Sequence, residues 1–127
     1  MTALSTETST AIGRMSVAAA ELEELLAWIG GTAAGDPLPA ARAAVRRGPD
    51  DLVHAVEAAT TQLTIARSYL RRLVRDGIDP GPAAFADAAG MLARCHGWML
   101  TLIESVHEDD LAASMAGAAE GVGGRRL

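Results

Sequence analysis

The feature that most constrains this chain is the spacing of its apolar residues, which recur at alternating intervals of three and four positions in three segments. An α-helix turns once in about 3.6 residues, so this spacing places the apolar side chains along one side of a helix. The clearest run is Phe85, Ala88, Leu92, Cys95, Met99, Leu102 and Val106. Three such segments predict an all-α fold, an antiparallel three- to four-helix bundle with heptad-like seams.

Glycine and proline residues bound the three predicted long helices. The first helix is predicted to span 11–29, ahead of a pair of glycines. The second opens at Pro49 and ends before Gly77, and the third spans about 82–108. These helices form one domain, because 127 residues is a typical length for a single domain.

The remaining segments are predicted to be shorter or less ordered. A short helix is expected over 39–47. A weaker helical pattern follows the third long helix, at Leu111, Met115, Ala118 and Val122. This pattern allows a fourth helix docked on the bundle, although its glycines lower the helix propensity. Residues 1–9 and 123–127 are expected to be disordered.

Composition narrows the possible partners and the compartment. The net charge is -5, which argues against nucleic acid and anionic membranes as partners. No apolar run reaches the roughly 20 residues that a membrane span needs. The lone cysteine, Cys95, excludes an internal disulfide and fits a cytoplasmic location. All basic residues are arginine and no asparagine occurs, a bias typical of GC-rich genomes and similar to an actinobacterial composition.

Glu104 and His107 form the sharpest candidate for chemistry. A Glu three residues before a His resembles one motif of di-iron carboxylate bundles, in which both side chains reach a metal between the helices. The third apolar seam instead places Glu104 and His107 on an outward side, so we predict no metal site, no catalytic residues and no cofactor. The residues around His96 also lack a recognisable arrangement for nucleophilic catalysis.

Large apolar side chains outside the seams indicate a surface for assembly. The third helix carries Met91, Trp98 and Ile103 in addition to its seam, and Trp28 lies off the seam of the first helix. Large aromatic residues often anchor protein interfaces. These four residues are therefore the candidate interface, and they favour a homodimer.

Arginines are concentrated near the end of the second long helix. Arg67, Arg71 and Arg75 recur every four residues and share one side of that helix. They form a candidate patch for an anion or an acidic partner, or simply a solvated face near the helix C-terminus, where cations are favourable.

Together these features predict a non-catalytic protein–protein interaction, adaptor or regulatory bundle that is homodimeric and binds a further protein. The alternative is a bundle that binds a small molecule or a metal, possibly an enzyme, using Glu104 and His107. The orientation of those two side chains relative to the core distinguishes the two hypotheses.

Overall fold

A computed structural model describes residues 4–31, 36–46 and 48–125, with side chains given as far as Val106. Four helices account for most of this part of the chain, and it contains no strand. The predicted all-α fold is confirmed. The helices are α1 (Thr6–Gly30), α2 (Pro37–Val45), α3 (Asp50–Asp76) and α4 (Pro82–Arg125).

α1 begins five residues earlier than the sequence pattern indicated. The Ser5 hydroxyl oxygen accepts a hydrogen bond of 3.0 Å from the backbone N–H of Thr8, which satisfies one of the unpaired donors at the helix start. Glu7 in the first turn lies near the positive end of the helix dipole. The prediction of disorder was therefore wrong for residues 6–9, because a Ser/Thr-rich segment also supplies a good cap. Residues 1–3 lie outside the described part of the chain.

Capping residues mark the start of α2 and the end of α3. The Asp36 side chain accepts a hydrogen bond from the Leu38 N–H at 3.1 Å, so α2 starts two residues before the predicted position. α3 has the predicted bounds. It ends at Gly77, whose φ of 65° lies in the left-handed region that glycine adopts without strain.

α4 is a single helix of 44 residues, about 66 Å long. The sequence predicted an end near residue 108, which was wrong, and left open whether the segment beyond it is a docked fourth helix. The apolar pattern from Leu111 to Val122 belongs to α4, and the glycines in this segment do not interrupt it. The packing of the side chains after Val106 lies outside the described part of the chain, as do residues 126 and 127.

The three long helices run up, down and up. Thr10 and Ala83 line one groove at the start of α1 and α4, and Trp28 and Ile103 line another farther along, so these two helices are parallel. α3 runs the opposite way, since its Tyr69 packs edge-on against Phe85 near the start of α4, with ring centroids 5.9 Å apart. α2 packs on α1 and α3.

The core lies between the four helices, and α2 contributes Leu38, Ala41 and Val45 to it. The largest fully buried side chains come from α1, α3 and α4: Met15, Leu22, Leu26, Val56, Leu63, Phe85, Leu92 and Met99. Small residues complete the core and bring the backbones close together. A Cβ atom at Gly30 would lie 2.8 Å from the Ala40 Cβ and 2.9 Å from the Ala41 nitrogen, so the contact between α1 and α2 requires glycine there.

Candidate interaction surface

The four residues predicted as one interface lie on two different sides of the bundle. Met91 and Trp98 are seven residues apart, so they share one side of α4. Ile103 lies about 140° around the helix from Trp98, on the side that meets Trp28 of α1. The structure therefore divides the predicted interface into a Trp28 part and a Trp98 part.

Trp28 is the most exposed aromatic residue in the described part of the chain. Its exposed fraction is 68%, which is unusual for an indole in a small bundle. Trp28 lines an open groove of about 420 Å³ with uncharged residues from all four helices, among them Ile29, Val45, Leu52, Ile103 and Val106. We call this concavity the Trp28 groove. Its lining suits an apolar side chain from another molecule.

Carboxylates lie beside the Trp28 groove. Glu21 and Glu24 are exposed and line an adjoining concavity with Leu25, His96 and Trp28 itself, so the indole belongs to both concavities. An apolar groove therefore continues into an acidic one along the junction of α1 and α4. His96 is partly buried there.

Arg67 is already engaged with carboxylates. Its guanidinium lies 3.2 Å from a Glu23 oxygen of α1 and 3.7 Å from an Asp36 oxygen ahead of α2. It thus ties α3 to α1 and to the start of α2. Arg71 and Arg75 are exposed. The part of the predicted patch that faces solvent without these partners is therefore Arg71 and Arg75, at the end of α3.

Of the two residues considered for metal chemistry, only Glu104 has a described side chain. Glu104 is exposed, and the His107 side chain lies outside the described residues. Within the residues whose side chains are given, no three His, Cys, Asp or Glu side chains are grouped closely enough to hold a metal ion. Burial raises the pKa of the Cys95 thiol, which lowers the fraction of reactive thiolate at neutral pH.

The side of α4 opposite the core is unusually poor in charge. Over residues 83–101 we call it the outer face, and it consists of the exposed residues Ala83, Ala86, Asp87, Gly90, Met91, Ala93, Arg94, Gly97, Trp98, Leu100 and Thr101. Sequence reasoning identified Met91 and Trp98 but missed the rest. The available signal was that Asp87 and Arg94 are the only Asp, Glu, Lys or Arg residues from 82 to 103.

No helix within the described ranges is long and apolar enough to cross a membrane. No protein-family model, curated protein or solved structure matches this chain. The function is therefore argued from the surface itself.

Proposed function

We propose that this chain is a non-catalytic, homodimeric interaction protein that binds a basic amphipathic helix of another protein in the Trp28 groove. The observation that carries the proposal is the exposed Trp28 indole beside a concavity lined by uncharged residues. Burying an indole contributes a large share of the binding free energy at many interfaces.

Charge favours a basic partner over an acidic or neutral one. Glu21 and Glu24 lie beside the indole, and the whole chain carries a net charge of -5. Arg or Lys residues that flank an apolar anchor would meet these carboxylates, and complementary potentials of this kind accelerate association and set the register. The same acidic balance supports the proposal that nucleic acid and membranes are not partners.

A helix is the form of partner that fits best. The two concavities follow one another along the junction of two parallel helices, α1 and α4. An amphipathic helix can place residues three, four and seven positions apart into such a junction. Its apolar side would cover Trp28 and Ile103, while its basic side would face Glu21 and Glu24.

The proposal has two further elements, the compartment and the exclusion of a metal or small-molecule site. A cytoplasmic location is supported by the single, buried cysteine, since a reducing compartment keeps such a thiol intact. The alternative function, binding of a metal or a small molecule through Glu104 and His107, is weakened because Glu104 is exposed.

A synthetic peptide tests the Trp28 groove directly. The probe is a Leu/Arg amphipathic helix of about four turns, and its comparison is a Leu/Glu peptide with the same spacing. In a Trp98→Phe background Trp28 is the sole tryptophan, so its emission should shift to shorter wavelength as the Leu/Arg peptide binds. Fluorescence anisotropy of the labelled peptide should show at least about tenfold weaker binding to Trp28→Ala.

Val17→Ala is the matched control for that experiment. Val17 is also an exposed apolar residue of α1, and it does not line the Trp28 groove. Its substitution should leave the affinity unchanged. Equal binding of the Leu/Arg peptide to the Trp28→Ala variant and the parent, or equal binding of the two peptides, would refute the proposal.

A further inference from the structure

The outer face of α4 has the pattern of a surface that packs against a copy of itself. Its two charged residues, Asp87 and Arg94, have opposite signs and are seven residues apart. Seven residues make two turns, so both side chains lie on the same side of the helix. The point halfway between them along the helix falls between Gly90 and Met91.

We propose that two copies of this chain associate through the outer faces of α4, with the two helices antiparallel about a two-fold axis between Gly90 and Met91. In this arrangement Asp87 lies level with the partner's Arg94. By symmetry Arg94 lies level with the partner's Asp87, so the dimer contains two pairs of opposite charges. A two-fold contact of this kind uses one self-complementary surface on both copies.

The shapes on the outer face are self-complementary in the same register. Gly90 lies at the axis, where the two helices approach most closely, and a residue without a Cβ permits that approach. Trp98 lies level with the partner's Ala83, so the largest side chain of the face meets one of the smallest. Met91 lies next to the axis and next to its own symmetry mate.

Packing within a single chain gives no reason for the glycines of this face. A Cβ atom at Gly90 or Gly97 would meet no atom within 4 Å in the described structure. Glycine inside an exposed helix is destabilising relative to alanine, so a single chain would gain from alanine at both positions. A close helix partner supplies the reason for glycine at Gly90.

The size of the face sets the expected strength of the dimer. From Ala83 to Thr101 it is about 27 Å long and about 10 Å wide, which is less than the roughly 800 Å² that each partner buries in a standard interface. We therefore expect a reversible dimer with an affinity in the micromolar range. This inference deepens the proposed function by naming the surface of the homodimer. Trp28 lies on α1 outside that surface, so the peptide experiment and the dimer experiment can fail separately.

Charge reversal in the full chain tests the pairing. Sedimentation equilibrium from about 5 to about 500 µM should show the parent chain passing from monomer to dimer. Asp87→Arg and Arg94→Asp should each weaken the dimer by about tenfold, because each substitution replaces two attractive pairs with two repulsive ones. The double variant Asp87→Arg/Arg94→Asp should recover most of the parent affinity.

Two controls separate the pairing from general effects. The two single reversals change the net charge in opposite directions. A loss of dimer affinity in both variants is therefore not an effect of net charge. Arg71→Asp, an exposed reversal on α3, should leave dimerisation unchanged, and helicity by circular dichroism should be equal for all variants. A parent that stays monomeric over the whole range, or a double variant no better than the two single ones, would overturn the inference.

Discussion

Gly30 and Gly90 lie in opposite surroundings within one bundle, the first crowded and the second open. At Gly30 a Cβ atom would meet both the Ala40 side chain and the Ala41 backbone, whereas at Gly90 the space is open. The packing of α1 on α2 explains the first glycine within a single chain. The second glycine points to a contact outside that chain. The buried face of α4 is likewise explained by contacts within one chain, whereas its outer face is not. Substitutions on the two faces should therefore have different effects.

The largest effect is expected on the buried face of α4. Phe85 is fully buried and packs against Tyr69, so Phe85→Ala should lower the free energy of unfolding by about 3–5 kcal/mol. Trp98→Ala on the outer face should change it by no more than about 1 kcal/mol in the monomer. Urea titration at a protein concentration below the dimer transition measures both values. Equal losses for the two variants would mean that the outer face is packed within the single chain.

Gly30→Ala should have the next largest effect. The added methyl group would press against backbone atoms of α2, which cannot move as a flexible side chain does, and the expected loss is about 1–3 kcal/mol. The matched control is Gly13→Ala, at an exposed and open position of α1, which should raise the free energy of unfolding by up to about 1 kcal/mol. Thermal or urea unfolding of the pair provides the check. A stabilising Gly30→Ala would contradict the close contact between α1 and α2.

Gly90→Ala should act in opposite directions on folding and on assembly. It should raise the free energy of unfolding of the monomer by about 1 kcal/mol, as Gly13→Ala does, because helix propensity improves and no atom is displaced. It should also weaken the dimer, because the methyl group separates the two helices at the axis. Sedimentation equilibrium of the two variants side by side measures the second effect. A Gly90→Ala variant that is stabilised and dimerises as well as Gly13→Ala would argue that the helices do not meet at Gly90.

The smallest effect is expected from the ion pairs of Arg67. Its contacts with Glu23 and Asp36 are partly exposed, and solvent screens such pairs, so Arg67→Ala should lower the free energy of unfolding by about 0.2–1 kcal/mol. The loss should shrink further in high salt. Arg71→Ala is the control and should cause no measurable change. A loss that is independent of salt would show that Arg67 acts through the packing of its aliphatic stem instead.

The sequence predicted the helical class, the buried residues of α4 and the bounds of α3, because apolar spacing and the residues that begin or end helices act locally. It placed the start of α1 incorrectly, since the same Ser/Thr composition that suggests disorder also contains the cap at Ser5. It ended α4 too soon, since the helical apolar pattern weakens after Val106 and glycines lower the local propensity there. Propensity is a weak guide where a helix already extends from a stable segment.

The candidate site was predicted only in part. The exposure of Trp28 and Trp98 followed from their positions off the seams. The angular separation of Ile103 from Trp98 follows from helix geometry. Placing Ile103 on the side of α1 and Trp98 on the solvent side requires knowing where α1 and α3 lie around α4. The ion pairs of Arg67 join segments that are 31 and 44 residues away along the chain, and no local pattern reveals such partners.

The parallel arrangement of α1 and α4 has a consequence for biosynthesis. α1 is translated before α4, the helix that covers much of its apolar side. Met15, Leu22 and Leu26 therefore lack their full covering until residues 82–106 have left the ribosome. α3 and α4, joined by a short turn, can pair as soon as both are made, and α1 can complete the core only then. The part of α1 that α4 covers thus stays exposed on the nascent chain until α4 has been made.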